Sequence, residues 1–285
     1  MIEKILLADS GMGNAQAMLK ALMQIPLVQR SQVTVLHVVP PQVTADAMTA
    51  KWEEGGKTLA KAINDLTLDP AKVTAMLREG DPKDVVCKVA DEVDTDLIIM
   101  GSRGLKGLKA ILENSVSQYV FQLSSHPMLL VKDDLYSIRP IKRILVAIDK
   151  SDSAKQSLGL AVALARDIKE SQLVFVHTIS NLKSKVAEAI NAHPETDPVL
   201  APAIAEAKKY GVAYRCVAPE GKPGARICEL ADDMNIDLLI LGSPDRRPSI
   251  AKGMPDIDRL VGESLSDYVR VYAPCPVLLT RMDAG

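Results

Sequence analysis

A chain of 285 residues, 47% hydrophobic and 25% charged, has room for two domains of ordinary size and the balance of a soluble globular protein. Its formal net charge of −2 supplies no general attraction to nucleic acid or membranes, and two Phe and one Trp are too few for base-stacking platforms. The longest apolar runs, such as LLILG and VAVALA, fall well short of the ~20 residues that span a bilayer, and MIEKILLADS lacks the apolar core of a signal peptide. Cys87, Cys216, Cys228 and Cys275 form no C-x-x-C pair and no Cys/His metal spacing. These features point to reduced thiols in a cytoplasmic protein.

In chain order, residues 2–8 are an apolar strand followed by ADSGMGN, and 13–28 read as a helix. A second strand at 32–38 leads into HVVPPQ. Residues 45–66 are amphipathic, with Gly55-Gly56 as an interruption, so this stretch is either a mobile lid or a weak surface helix. A strand at 72–78 is followed by Asp81-Pro82, an acceptor side chain and a fixed φ that start a helix over 82–93. A strand at 96–100 runs into GSRGLKG, then a helix at 114–124 and a last strand at 127–131. The first, second and fourth strands are runs of Ile, Leu and Val, as expected of strands buried on both faces.

The chain then repeats itself. KILLADS (Lys4 to Ser10) returns as RILVAID (Arg143 to Asp149). EGDPKDVVCKVADEVDTDLIIMG, Glu79 to Gly101, matches EGKPGARICELADDMNIDLLILG, Glu220 to Gly242, without a gap. NSVSQYVFQLSSHPMLLVK, Asn114 to Lys132, matches ESLSDYVRVYAPCPVLLTR, Glu263 to Arg281. The chain is two copies of one unit, joined near DDLYSIRP, which sets domains at 1–138 and 139–285. Alternating strands and helices predict an α/β fold, each copy a parallel five-stranded sheet with right-handed crossovers and helices on both faces. Ligands in such sheets sit beyond the carboxyl ends of the strands, where strand order reverses.

Three loops of the first copy meet at that edge: ADSGMGN, HVVPPQ and GSRGLKG. Gly11-x-Gly13 is only a partial dinucleotide fingerprint, because Gln16 stands at the third glycine position and no acid ends the second strand. Nothing fits a Walker lysine pattern. Gly101-x-x-Gly104, nine residues, then Asn114-Ser115-Val116-Ser117 is a better candidate. Glycines let backbone N–H groups approach an anion, and a serine-bearing helix start favours phosphate. Arg103, Lys106 and Lys109 add positive charge, and Glu113 adds negative charge. The plain alternative is a turn at Gly101 and Gly104 with Asn114 as a helix N-cap.

This stretch resembles the G-x2-G-x9-G-[ST] nucleotide loop of the universal stress protein family. The resemblance extends to the ILVAID-type first strand, the DLIIMGSRG run and the P-M-L-L-V ending, and covers nearly all of both copies. It implies two flavodoxin-like (Rossmann-like) domains and a stress-related regulator that binds ATP, ADP or AMP without turnover, chiefly in the first domain. Mg²⁺ is an optional companion of the nucleotide. By position, the resemblance implies a site of Asp9, Ser10, Val38, Met100, Gly101, Arg103, Gly104, Asn114, Ser115, Val116 and Ser117. In members of the family the last strands commonly meet, so an internal pseudo-dimer through PMLLV and PVLLT is expected.

Both copies depart from the pattern. In the first, Asn114 replaces the third glycine, and gapless alignment places Ser10, not Asp9, opposite Asp149. A one-residue shift turns a strand side chain to the other face, although a loop can absorb it. In the second, Asp149 is in place, but Asp245 and Glu263 replace two glycines. Eight more residues separate Gly242 from Ser264 than separate Gly101 from Ser115. Asp149, Gly242 and Ser264 are therefore a weaker second site, with Arg246 and Arg247 nearby. The competing reading is an interaction module in which both sites have degenerated. His37 and His177, repeated at the ends of the second strands, are either structural or catalytic.

Overall fold

The computed structural model describes residues 2–11, 14–102, 115–133, 135–179, 190, 192–243 and 264–281. The described residues fall into two compact units, one up to Ile138 and one from Arg139. In the first unit, β1 (Lys4–Ala8), β2 (Gln32–Val39), β3 (Val73–Glu79), β4 (Leu97–Ser102) and β5 (Met128–Lys132) lie in the order β3-β2-β1-β4-β5. Every pairing is parallel. Among the described residues four helices accompany them: α1 (Asn14–Met23), α2 (Ala45–Leu66), α3 (Pro82–Val93) and α4 (Val116–Leu123). The second unit repeats the order as β8-β7-β6-β9-β10, again all parallel. Its strands are β6 (Arg143–Ala147), β7 (Gln172–Val176), β8 (Tyr214–Val217), β9 (Leu238–Gly242) and β10 (Val277–Thr280). Its helices among the described residues are α5 (Asp152–Arg166), α6 (Ala201–Lys209), α7 (Pro223–Asp233) and α8 (Leu265–Tyr272).

The central strands are buried on both faces, as their unbroken apolar runs require. Leu6, Leu7, Val35, Ile98 and Ile99 are buried in the first unit, and Leu145, Val146, Leu239 and Ile240 in the second. Each such side chain contributes about 1.5–3 kcal/mol relative to exposure. The repeated Asp-Leu pair before the fourth strand has a structural role. Asp96 Oδ2 accepts from the N–H groups of Glu3 (2.7 Å) and Lys4 (2.9 Å). Asp237 Oδ2 does the same for Lys142 (3.0 Å) and Arg143 (2.9 Å). These carboxylates satisfy backbone donors that no ladder reaches at the entry to β1 and β6.

Helix limits follow local chemistry. Asp81 caps α3 through Lys83 N at 2.9 Å, with Pro82 in the first turn. The helix expected to reach residue 28 stops at Met23 instead. Pro26 cannot continue it, because its ring would strike the carbonyl of Leu22.

A second correction concerns α2. It runs unbroken through Gly55-Gly56 and packs as a full element, with Gly55, Leu59, Ala62 and Leu66 forming its buried stripe. A Cβ on Gly55 would lie 2.8 Å from Val39 Cγ2 and 3.2 Å from both His37 Cδ2 and Leu77 Cδ1. The glycine is a point of close approach to the sheet, not a helix break. Nothing lies within 4 Å of a Cβ on Gly56. Gly56→Ala should therefore stabilise the protein by about 0.5–1 kcal/mol through helix propensity. Gly55→Ala should destabilise it by about 1–3 kcal/mol through overpacking. Urea unfolding of both variants checks this, and equal shifts would show that Gly55 packs against nothing.

Candidate functional site

In the first unit the chain order reverses between β1 and β4, so the loops leaving those strands part and open a crevice at their carboxyl ends. A cleft of about 530 Å³ lies there. Asp9 and Ser10 after β1, Val38 on β2, Met100 and Gly101 on β4, and Ser115, Val116 and Ser117 at the start of α4 all line it. Eight of the eleven residues picked from the sequence thus share one cavity. The other three, Arg103, Gly104 and Asn114, lie outside the described residues, as do Lys106, Lys109 and Glu113.

Asp9 is buried, 5% exposed. Its N–H continues the ladder to Leu36 O at 2.9 Å, just as Ile148 N–H in the second unit reaches Val176 O at 2.8 Å. The register shift seen in the sequence is therefore real: Asp9 occupies the place that the apolar, buried Ile148 fills in the other unit. Asp9 Oδ1 accepts from Gln16 Nε2 at 3.0 Å. Its Oδ2 is buried with no hydrogen-bond partner, an arrangement that costs about 1–3 kcal/mol until a donor arrives. Gln16, where a dinucleotide fingerprint would have glycine, instead holds this carboxylate. Gly11, at φ +82°, makes the turn that follows.

Ser115 is the N-cap of α4, so the capping residue is not Asn114. Its hydroxyl makes no capping bond, lying instead 2.8 Å from Ser117 Oγ. The first N–H groups of α4 therefore receive no side-chain cap from Ser115, and they carry the positive end of the helix dipole.

Sequence reading missed two contributors to the cleft. From α2 come Lys51, Glu54, Gly55 and Thr58. Lys51 Nζ is paired to Glu54 Oε2 at 2.6 Å, and this contact first of all, then Lys51's charge, lowers the Glu54 carboxyl. The second is Asp133, just past β5, whose Oδ2 lies 2.7 Å from the position of a Cβ on Gly101.

The equivalent place in the second unit is built differently. Asp149 is exposed, and its Oδ1 accepts from Ser151 N (2.8 Å) and Ser151 Oγ (2.5 Å). A Cβ on Gly242 would lie 2.6 Å from Ser153 C, 2.7 Å from Ser153 Oγ and 2.8 Å from Ala154 N. The first turn of α5 rests on this glycine. Ser264 donates to Asp267 Oδ2 (2.5 Å) and accepts from Asp267 N (3.2 Å), so a carboxylate already stands at the head of α8. Gln118 holds the position of Asp267 in the first unit. That substitution was open to sequence reading and marks the second copy as less suited to an anion.

The model of the universal stress protein family matches residues 1–132 and again 140–281. The chain belongs to this family, with two domains of it in tandem. A universal stress protein from Archaeoglobus fulgidus DSM 4304 superposes with a TM-score of 0.72 at 23% identity, covering 98% of this chain and 96% of that one. Universal stress protein YxiE of Bacillus subtilis (strain 168) is 28% identical over 148 residues, 46% of this chain and all of its own. Another universal stress protein from Archaeoglobus fulgidus, solved in complex with dAMP, covers 51% of this chain and 98% of its own at 21% identity and a TM-score of 0.35.

Among the described residues of the two universal stress protein domains, the repeated histidines are hydrogen-bonded and two of the cysteines are held protonated. His37 Nδ1 lies 2.9 Å from Asp9 O, and His177 Nδ1 lies 2.5 Å from Asp197 Oδ2, so the repeated histidines tie strand ends to different neighbours. None of the four cysteines is in a disulfide. Burial foremost, then nearby carboxylates, pushes Cys87 and Cys216 up to about 11, which leaves them protonated at neutral pH. Among the described residues no helix is long and apolar enough to cross a membrane, and no three His, Cys, Asp or Glu gather as a metal site.

Proposed function

We propose that the first domain binds an adenine nucleotide in the cleft at the ends of β1, β2 and β4, and that binding without turnover makes the protein a stress-related regulator in the cytoplasm. The buried, unpartnered Oδ2 of Asp9 carries this reading. A carboxylate oxygen in a place that takes isoleucine in the sister domain calls for a donor from a ligand. Val38 offers an apolar wall, and the α4 start offers N–H groups to a phosphate. Mg²⁺ would enter only with a bound polyphosphate.

The second domain favours the other reading, a retained fold that serves as an interaction surface. Ser153 covers Gly242, and Asp267 occupies the head of α8. Calorimetry on the whole chain should find one nucleotide per chain, whereas two equal sites would contradict this division. Pairing of the domains through PMLLV and PVLLT is proposed from the sequence, and disulfide trapping between cysteines placed in those segments tests it.

Asp9→Ile tests the cleft directly. Copying Ile148, it should hold or raise stability by about 1 kcal/mol, because an orphan oxygen disappears. It should also abolish nucleotide binding. Ser115→Ala should weaken binding on the order of ten- to a hundredfold by removing one hydroxyl bond to a charged acceptor. Calorimetric titration of both variants measures the binding. Undiminished binding by both variants would end the nucleotide reading.

A further inference from the structure

We infer that residues 45–54 of α2 are a lid, hinged at Gly56, that closes over the mouth of the cleft when the ligand binds. This deepens the nucleotide reading of the first domain and rests on it.

Only the second half of α2 is buried against the sheet. Its buried stripe begins at Gly55, and a Cβ there would already touch Val39, the last residue of β2. The ten residues before it therefore run about 15 Å beyond the carboxyl end of that strand. None of them is buried. The apolar stripe continues into them nonetheless. Met48 and Trp52 precede Gly55 by seven and three positions, the spacing that keeps residues on one side of a helix. Trp52 is exposed, and so is Val43 just before the helix. This half of α2 already supplies Lys51 and Glu54 to the cleft wall. An apolar face thus overhangs the site.

The helix is weakest at the point where its support ends. Gly55 is explained by its close approach to the sheet, but nothing lies within 4 Å of a Cβ on Gly56. A glycine there lowers helix stability against alanine and gains no contact in return. Across the same turn Thr58 Oγ1 donates to Glu54 O at 3.0 Å, a back-bond of the kind that bends helices. Thr58 also marks the fixed side of the hinge: its Cγ2 is 3.2 Å from the position of a Cβ on Gly11, in the turn after β1. Bending at Gly56 toward the strand ends lowers Met48 and Trp52 toward the cleft mouth, while Leu59, Ala62 and Leu66 stay packed. Closure takes exposed apolar surface out of water and shuts water out of the site.

The test is titration of the full chain with AMP, read in two ways. Calorimetry measures binding. Trp52, the chain's single tryptophan, lies outside the lining of the open cleft, so its emission and its quenching by acrylamide report the lid. Saturating AMP should move the emission to shorter wavelength and protect Trp52 from the quencher. Gly56→Ala strengthens the straight helix, so it should bind AMP about fivefold more weakly, the equilibrium factor that separates alanine from glycine in a helix. The same variant should resist urea better than the parent, so a weakened fold does not account for the loss. Binding with unchanged Trp52 emission and quenching, or parent-like affinity in Gly56→Ala, would overturn the lid and leave the nucleotide site standing. Failure of AMP to bind the parent chain would overturn both.

Discussion

Gly101→Val is expected to leave the chain folded and to cut adenine-nucleotide binding by more than about a hundredfold. Gly101 lies at the end of β4, where its missing side chain leaves the cleft floor open to a ligand and to the Asp133 carboxylate. A valine there would put its first carbon 2.7 Å from Asp133 Oδ2 and its methyl groups in the cavity. The Asp133 carboxylate is the end of a side chain only half buried, so it can swing aside. The fold should therefore lose only about 1–3 kcal/mol, while the ligand loses its place. Calorimetric titration measures the binding, and circular dichroism confirms the fold. Parent-like affinity in a folded Gly101→Val would mean that the ligand sits elsewhere.

Much of this site was visible in the sequence because it rests on local chemistry. Apolar runs at strand spacing, Asp81-Pro82 at a helix start and Ser115 after a glycine loop each act within a few residues. The repeat added the topology, and the topology placed the ends of β1, β2 and β4 together. Even the one-residue offset of Asp9 could be read by aligning KILLADS with RILVAID, and the ladder bonds of Asp9 and Ile148 show the same offset in space.

What escaped depends on groups far apart in the chain. Gly55 looks like a helix breaker to a propensity scale, yet the Val39, His37 and Leu77 side chains that need the gap come from β2 and β3. Asp133 reads as part of a linker, and only the pairing of β4 with β5 carries it to Gly101. Asp96 and Asp237 stood out as a repeated motif, but their partners at Lys4 and Arg143 lie at the entry of another strand. Repeats reveal that a residue is kept between two copies; they do not reveal whether it holds backbone or ligand.

Gly242 shows how one motif position takes opposite duties in the two copies. It matches Gly101 in the repeat, yet two of the three atoms nearest its missing side chain are backbone, Ser153 C at 2.6 Å and Ala154 N at 2.8 Å, with Ser153 Oγ at 2.7 Å. These belong to the first turn of α5, which Ser151 caps through Ala154 N at 3.2 Å and which Asp149 braces through Ser151. Such a turn cannot swing aside as the Asp133 carboxylate can. Gly242→Ala should therefore destabilise the second domain by about 3 kcal/mol or more, at the upper end of overpacking costs, while Gly101→Ala should lose only about 1 kcal/mol. Urea unfolding followed by circular dichroism compares the two variants. Hydrogen exchange should place the loss in Gly242→Ala at α5 and β9, with nucleotide binding by the first domain retained. If Gly242→Ala proves as mild as Gly101→Ala, the start of α5 yields readily. Asp149 would then be free to serve a second ligand site.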